Sequence, residues 1–256
     1  MKRIIVKIDQ EINHLENSAL CQWLRSIEPS DEDRFAFTPS MLFFVLGFKD
    51  ILHTMRIEDP KTPIDFEINT HCEEDLDHWK WYLSDLEVLG FLPKSWGGSM
   101  VDIFTKIWGN ESIAARNLVY TTLYYIKKHN NPLISLAIIE VLEAAFGVFI
   151  RHMTVPINRA GVYEKLEYFG KTHIDKENAH ARGAWTNGTR SDSSGSFQYH
   201  LLDEATYQIA EDIVDNIVSE FKAVFDYWYS ARKEFVRYVP PVAENLRQAS
   251  EPVASL

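Results

Sequence analysis

Cysteine is almost missing from this 256-residue chain, with only Cys21 and Cys72 present. That excludes a disulfide framework and a multi-cysteine zinc site. Basic charge is also short: 26 Lys and Arg stand against 37 Asp and Glu, for a net charge of −11. No Lys/Arg cluster offers the basic face that a nucleic-acid binder needs, so no nucleic-acid partner is expected. No run alternates over convincing strand length. No long apolar run is free of charge either. The longest, Pro132–Ile150, contains Glu140 and Glu143, and two carboxylates inside a bilayer are costly. Met1 to Asn17 alternates charge with apolar residues, unlike the apolar core of a signal peptide. The expectations are no membrane partner and a cytoplasmic location. Apolar and aromatic residues are plentiful, at 46% and 13%, which rules out disorder over most of the chain.

The apolar periodicity is helical nearly everywhere. It predicts helices at about Asp9–Ile27, Pro39–Ile57, Thr62–Leu89, Glu111–His129, Pro132–Met153 and Gly161–Arg182, and a last one from Asp203 to about Tyr238. Breakers separate them: Pro29, Pro60, Pro63, Pro93, Gly97-Gly98, Asn130-Asn131-Pro132 and Pro156. Gly183–Ser196 is the one low-complexity stretch and reads as a surface loop. No composition shift marks a domain boundary. The expectation is a single all-α domain of about seven helices over residues 1–240, with a tail at 241–256. Phe221, Phe225, Trp228 and Tyr229 exceed what one core needs, which leaves room for a homodimer through the last helix.

Three predicted helices carry ionisable groups where the pattern demands apolar ones. In Gly161–Arg182 the stripe Val162, Leu166, Phe169 continues onto His173, Glu177 and His180, and His-x3-Glu-x2-His places all three on one face. Burying them unpaired costs several kcal/mol, and one metal ion would satisfy them together. In Pro132–Ile150, Glu140 and Glu143 are the only charges and share a face. A carboxylate there takes up a proton, pairs with a cation or binds metal. In Thr62–Leu89 the inward arc of Ile64, Ile68, Cys72, Trp79, Tyr82, Leu86 and Leu89 also admits His71 and His78, with Glu74 at its edge and Asp75 nearer its middle. Each of these residues also has an ordinary reading, as a wet helix end or a buried salt bridge. Together they make a mixed His/carboxylate set of more than four donors, which fits one or two iron or manganese ions better than a closed zinc site.

The combination of His78, a mid-chain glutamate and His173-x3-Glu177-x2-His180 resembles the haem-oxygenase-like diiron oxidases and oxygenases. The segment HCEEDLDHWKWYLSDLEVLG is similar to their early metal-binding helix, and the resemblance covers roughly residues 35–235. It implies a haem-oxygenase-like bundle, two Fe(II) ions and O2 as co-substrate, and the chain's own His71 in place of a family carboxylate makes the second iron the labile one. It also implies metal ligands among His71, Glu74, His78, Glu140, His173, Glu177 and His180, with Asp75 and Glu143 as alternates. Two departures stand out. His71 occupies the position of a family carboxylate, so Glu74 or Asp75 would supply the missing oxygen. The middle glutamate is Glu140 or Glu143, with Glu140 preferred. Relatives oxygenate nitrogen, fragment amino acids or decarboxylate fatty acids, which implies a small, amino-acid-like substrate. Phe43, Phe44, Tyr124, Phe146 and Phe225 are candidates to line its pocket.

Two rival readings remain. A metal-free relative of the same fold would bind or hydrolyse a thiamin-like compound, with Cys72 as candidate nucleophile. A purely structural acidic bundle would instead bind another chain.

Overall fold

Nine α-helices and several short 3-10 turns make up the described part of the protein, and no strand occurs among the described residues. The computed structural model describes residues 1–26, 33–91, 98–174 and 201–237. The helices are α1 (Lys2–Glu16), α2 (Ala19–Arg25), α3 (Leu42–Met55), α4 (Pro63–Asp75), α5 (His78–Val88), α6 (Met100–Trp108), α7 (Ile113–His129), α8 (Pro132–Arg159) and α9 (Glu204–Ser230). The all-α expectation holds, with more and shorter helices than the periodicity suggested.

Several of the differences have a local cause. The first predicted helix divides at Asn17-Ser18, because the Ser18 side chain accepts the backbone N–H of Cys21 and so starts α2 afresh. The predicted Thr62–Leu89 helix divides at Leu76-Asp77, and Asp77 is the N-cap of α5. A Thr62/Asp65 capping box fixes the start of α4: each side chain accepts the other residue's backbone N–H. Ser99, accepting from Asp102 N–H, starts α6, a helix the periodicity missed.

The largest correction concerns residues 156–170. The spine helix was expected to end at Met153, with a new helix from Gly161. Instead α8 runs through Pro156 to Arg159. It closes in a Schellman motif, in which Gly161 N–H bonds the Asn158 carbonyl and Val162 N–H bonds the Ile157 carbonyl. Gly161 holds φ +64° there, so it is the residue that ends one helix, not the start of the next. Residues 162–170 form a 3-10 turn and bends, and helix resumes only at 171–174. The stripe Val162, Leu166, Phe169, His173 is therefore not one helical face.

Helix α8 is long and apolar enough to cross a membrane, but 83% of its most apolar window is buried inside the protein, which is consistent with the core helix of a soluble protein. It packs against α1, α2, α4 and α9, while α7 packs against α3 and α9. Where α8 meets α9, the Phe149 and Trp228 rings meet tilted at 60° with centroids 5.2 Å apart, and Phe225 stacks on Trp228 at 5.7 Å. Phe221, Phe225 and Trp228 are all completely buried in the chain's own core, and Tyr229 is half-buried. The exposed apolar side chains of Met100, Val101, Phe104 and Trp108 belong to α6 instead.

Candidate metal centre

Beside the spine, α4, α5 and α8 bring together imidazoles and carboxylates that are nearly dry. His71, Asp75 and His78 are 3, 4 and 6% exposed, although they lie in one of the most acidic stretches of the chain. On α4, His71 and Asp75 are one turn apart, and His71 Nε2 lies 3.1 Å from Asp75 Oδ2. Glu143 of α8 approaches the same imidazole nitrogen, with Oε1 at 3.5 Å. One donor atom from each of the three lies within 4.8 Å of the others. Two donors bonded to one ion at about 2.1 Å stand about 3.0 Å apart when cis on an octahedron and about 3.4 Å apart on a tetrahedron. The two His71–carboxylate separations, 3.1 and 3.5 Å, match that spacing before any ion is bound. The set holds two carboxylates and one imidazole without thiolate, which suits iron, manganese or zinc more than a soft metal.

Asp75 also faces the second imidazole, with Oδ1 3.6 Å from His78 Nδ1. The break between α4 and α5 leaves both histidines on the inner side. The His78 ring stacks on Trp81 at 4.4 Å and meets the His173 ring edge-on at 4.5 Å. His173 reaches the site from the short helical segment at 171–174. Its Nδ1 lies 2.8 Å from the Tyr168 carbonyl oxygen. A carbonyl can only accept, so Nδ1 carries the proton and Nε2 keeps its lone pair. That is the tautomer in which ligand histidines are held by a second partner.

The turn that presents His173 is fixed from α5. Asp85, completely buried, accepts three successive backbone N–H groups: Glu167 at 2.7 Å, Tyr168 at 3.0 Å and Phe169 at 2.8 Å. Burial pushes the Asp85 carboxyl up to about 6, and the three N–H donors only partly offset it. The same turn brings Gly170 against backbone: a Cβ there would sit 2.3 Å from the Leu166 oxygen and 2.4 Å from the Tyr163 oxygen. The inward arc did not include Asp85. The available signal was its place between Tyr82 and Leu86 on that arc, where a charge has no ordinary reason to be.

The sequence-derived set is brought together in part. His71, His78 and His173 converge, and the two alternates, Asp75 and Glu143, stand in the group with His71. Glu74 does not: it is exposed, because it falls on the outer side of α4. Asp75 is the carboxylate the helix turns inward. Glu140 is buried one turn before Glu143 on α8, yet Glu143 is the one that faces His71. Glu177 and His180 lie outside the described residues, as do the whole of the 183–196 loop reading and of the 241–256 tail. Cys72 is buried at 3% exposure, a poor position for a nucleophile that must meet substrate.

A pocket opens beside the group, about 510 Å³ when the open solvent at its mouth is included. Phe44, Phe48, Leu142 and Phe146 supply apolar wall, Asp75, Glu143, His78 and His173 the polar floor, and Lys49 and Trp79 complete the lining. Of the aromatics expected there, Phe44 and Phe146 line it. Phe43 packs on Trp108 and Tyr120, Tyr124 is exposed, and Phe225 is core.

No protein-family model matches the chain, and no curated protein matches it.

Proposed function

We propose that the protein is a non-haem diiron oxygenase or oxidase, built as a haem-oxygenase-like helical bundle and acting with O2 on a small molecule. The observation that carries the reading is the group of buried His71 and Asp75 with half-buried Glu143, in which both carboxylates stand at ligand spacing from the same imidazole nitrogen. Asp75 and Glu143 both face the His71 imidazole, and a bound cation relieves the repulsion between two carboxylates gathered at so dry a site.

His71, Asp75 and Glu143 would hold one ion, while His78 and His173 are the imidazoles placed to serve a second. Ferrous ions bound there would supply the electrons that reduce dioxygen. The residues themselves do the rest. Asp75 stands between two imidazoles and fixes the spacing of both. The Tyr168 carbonyl holds the His173 proton on Nδ1. Phe44, Phe146 and Leu142 keep bulk water from the floor of the pocket, where reactive oxygen species would otherwise be lost.

Anaerobic Fe(II) titration of metal-free protein, followed by Mössbauer spectroscopy and metal analysis, tests the reading. Two irons per chain in two unequal sites are expected. Protein made in iron-replete cells that carries no transition metal, or a His71→Ala variant with unchanged stoichiometry, would sink it.

A further inference from the structure

Half of the large apolar side chains that the described residues expose fall in one stretch, from Met100 to Tyr124. Single exposed apolar residues are ordinary, but a cluster marks a surface that something covers. Helix α6 buries none of its residues. Its Met100, Phe104 and Trp108 recur every fourth position and form one outward stripe, 64, 57 and 61% exposed. The two charges of α6, Asp102 and Lys106, lie half-buried on the opposite side, so the stripe carries none. On α7, Tyr120 and Tyr124 are one turn apart and about half exposed. Phe43 of α3 joins the two helices, its ring 5.5 Å from Trp108 and 6.0 Å from Tyr120. The rings thus make one continuous face. Charge sets this face apart as well. Although the chain carries −11, α6 and α7 together hold a single acid, Asp102, against Lys106, Arg116, Lys127 and Lys128. Two of these cations lie over rings of the face: Arg116 over Trp108 at 5.4 Å and Lys128 over Tyr124 at 5.2 Å.

We propose that two copies of the chain pair through this face about a two-fold axis, with α6 and the outer side of α7 of one copy against the same elements of the other. The area suits such a contact. At roughly half of the about 150–250 Å² that an aromatic side chain can bury, the exposed rings and their aliphatic neighbours offer on the order of 700 Å². A standard interface takes about 800 Å² from each partner. The charge suits it too. Two acidic chains repel over most of their surface, and this face nearly lacks acid, with cations at its edge to meet the acidic remainder of the partner. The α6 stripe offers no cation to a lipid headgroup, whereas ring packing across a two-fold axis needs none. Helix α3 turns Phe43 to this face and Phe44 to the pocket wall, so pairing braces the wall from behind. The inference stands on the surface alone and does not rest on the oxidoreductase reading.

Sedimentation equilibrium of the full chain over a range of concentrations tests the pairing and should give twice the mass of one chain. Phe104→Glu and Trp108→Glu each place a charge in the centre of the face. They should keep the helical content seen by circular dichroism and weaken pairing by about a hundredfold, the loss expected at an interface hot spot. Phe66→Glu alters a comparably exposed ring on α4, 56% exposed, and should pair as the wild type does. Thr105→Cys adds a thiol on the outward side of α6 without removing any ring. Both native cysteines are buried, so a short bismaleimide should join two chains through position 105. This measurement does not depend on the folding of the Glu variants. A wild-type chain that stays monomeric at every concentration overturns the proposal, as does a dimer that Phe104→Glu and Trp108→Glu leave intact or that position 105 fails to cross-link. A monomer that sediments with phosphatidylglycerol vesicles gives the face to lipid and overturns it as well.

Discussion

Asp85 Oδ2 accepts the backbone N–H of Phe169 at 2.8 Å, across 84 positions of chain. With the bonds to Glu167 and Tyr168, this one carboxylate organises the turn that leads to His173, whose backbone N–H in turn bonds the Glu167 carbonyl at 3.0 Å. The geometry of one imidazole in the candidate centre thus depends on a residue that does not touch it.

Asp85→Ala would strand three backbone N–H groups, two of them buried. At about 1–3 kcal/mol for each unsatisfied donor, the loss is on the order of several kcal/mol, a large part of a domain's stability. Thermal unfolding should show a strongly lowered Tm. The variant should also bind Fe(II) more weakly, because His173 is no longer held.

The pH dependence has a definite sign. The Asp85 carboxyl is raised from 3.8 to about 6 by burial, so the folded protein binds its proton more tightly than the unfolded chain does. The stabilisation from that proton is full below the unfolded value near 4 and is lost as pH rises through about 6. A shift of about two units corresponds to at most about 3 kcal/mol. Glu16 has the opposite sign. Burial alone would raise its carboxyl, but hydrogen bonds from Arg151 and His152 outweigh burial and hold it below the ordinary value. Its contribution is lost as pH falls through the acid range. Urea unfolding between pH 4 and 7 should therefore show the wild type gaining on Asp85→Asn as pH falls, and losing ground to Glu16→Gln.

Glu143→Gln and Glu74→Gln should separate cleanly. Gln keeps the shape of Glu but not its charge, so Glu143→Gln should lower the iron bound per chain. Glu74 lies on the solvent side of α4, and its variant should bind iron as the wild type does. Metal analysis after anaerobic loading reads both. Equal loss in the two variants would remove Glu143 from the centre.

Gly170→Ala should destabilise the protein although only one methyl is added. The new Cβ meets two backbone oxygens at 2.3 and 2.4 Å, and neither can swing aside as a side chain could. Chemical denaturation should show a loss of more than about 1 kcal/mol, the lower range for overpacking.

If metal binds only the folded protein, saturating Fe(II) should raise the unfolding free energy by about 2.7 kcal/mol at a free concentration one hundred times Kd. Differential scanning calorimetry with and without chelator checks this. His71→Ala and Asp75→Asn should abolish most of the increment.

The sequence alone determined the all-α class, because a 3.6-residue apolar period is a local property that survives any packing. It also determined that charges interrupt the inner face around His71 and His78, since a His or a carboxylate on an apolar arc is visible without coordinates; the helical stripe that pointed to His173 is broken after Gly161. Tertiary structure decided which of the neighbouring carboxylates turn inward. Glu74 and Asp75 are adjacent in sequence, and Glu140 and Glu143 share one helix face; only the way α4 lies on α8 puts Asp75 and Glu143 against His71. It also decided how His173 arrives. The Schellman motif at Gly161 ends α8 and leaves residues 162–170 to be shaped by contacts, above all by Asp85 from 82 or more positions away. A side chain that caps a distant turn leaves no periodic trace in its own helix, so packing alone could reveal it.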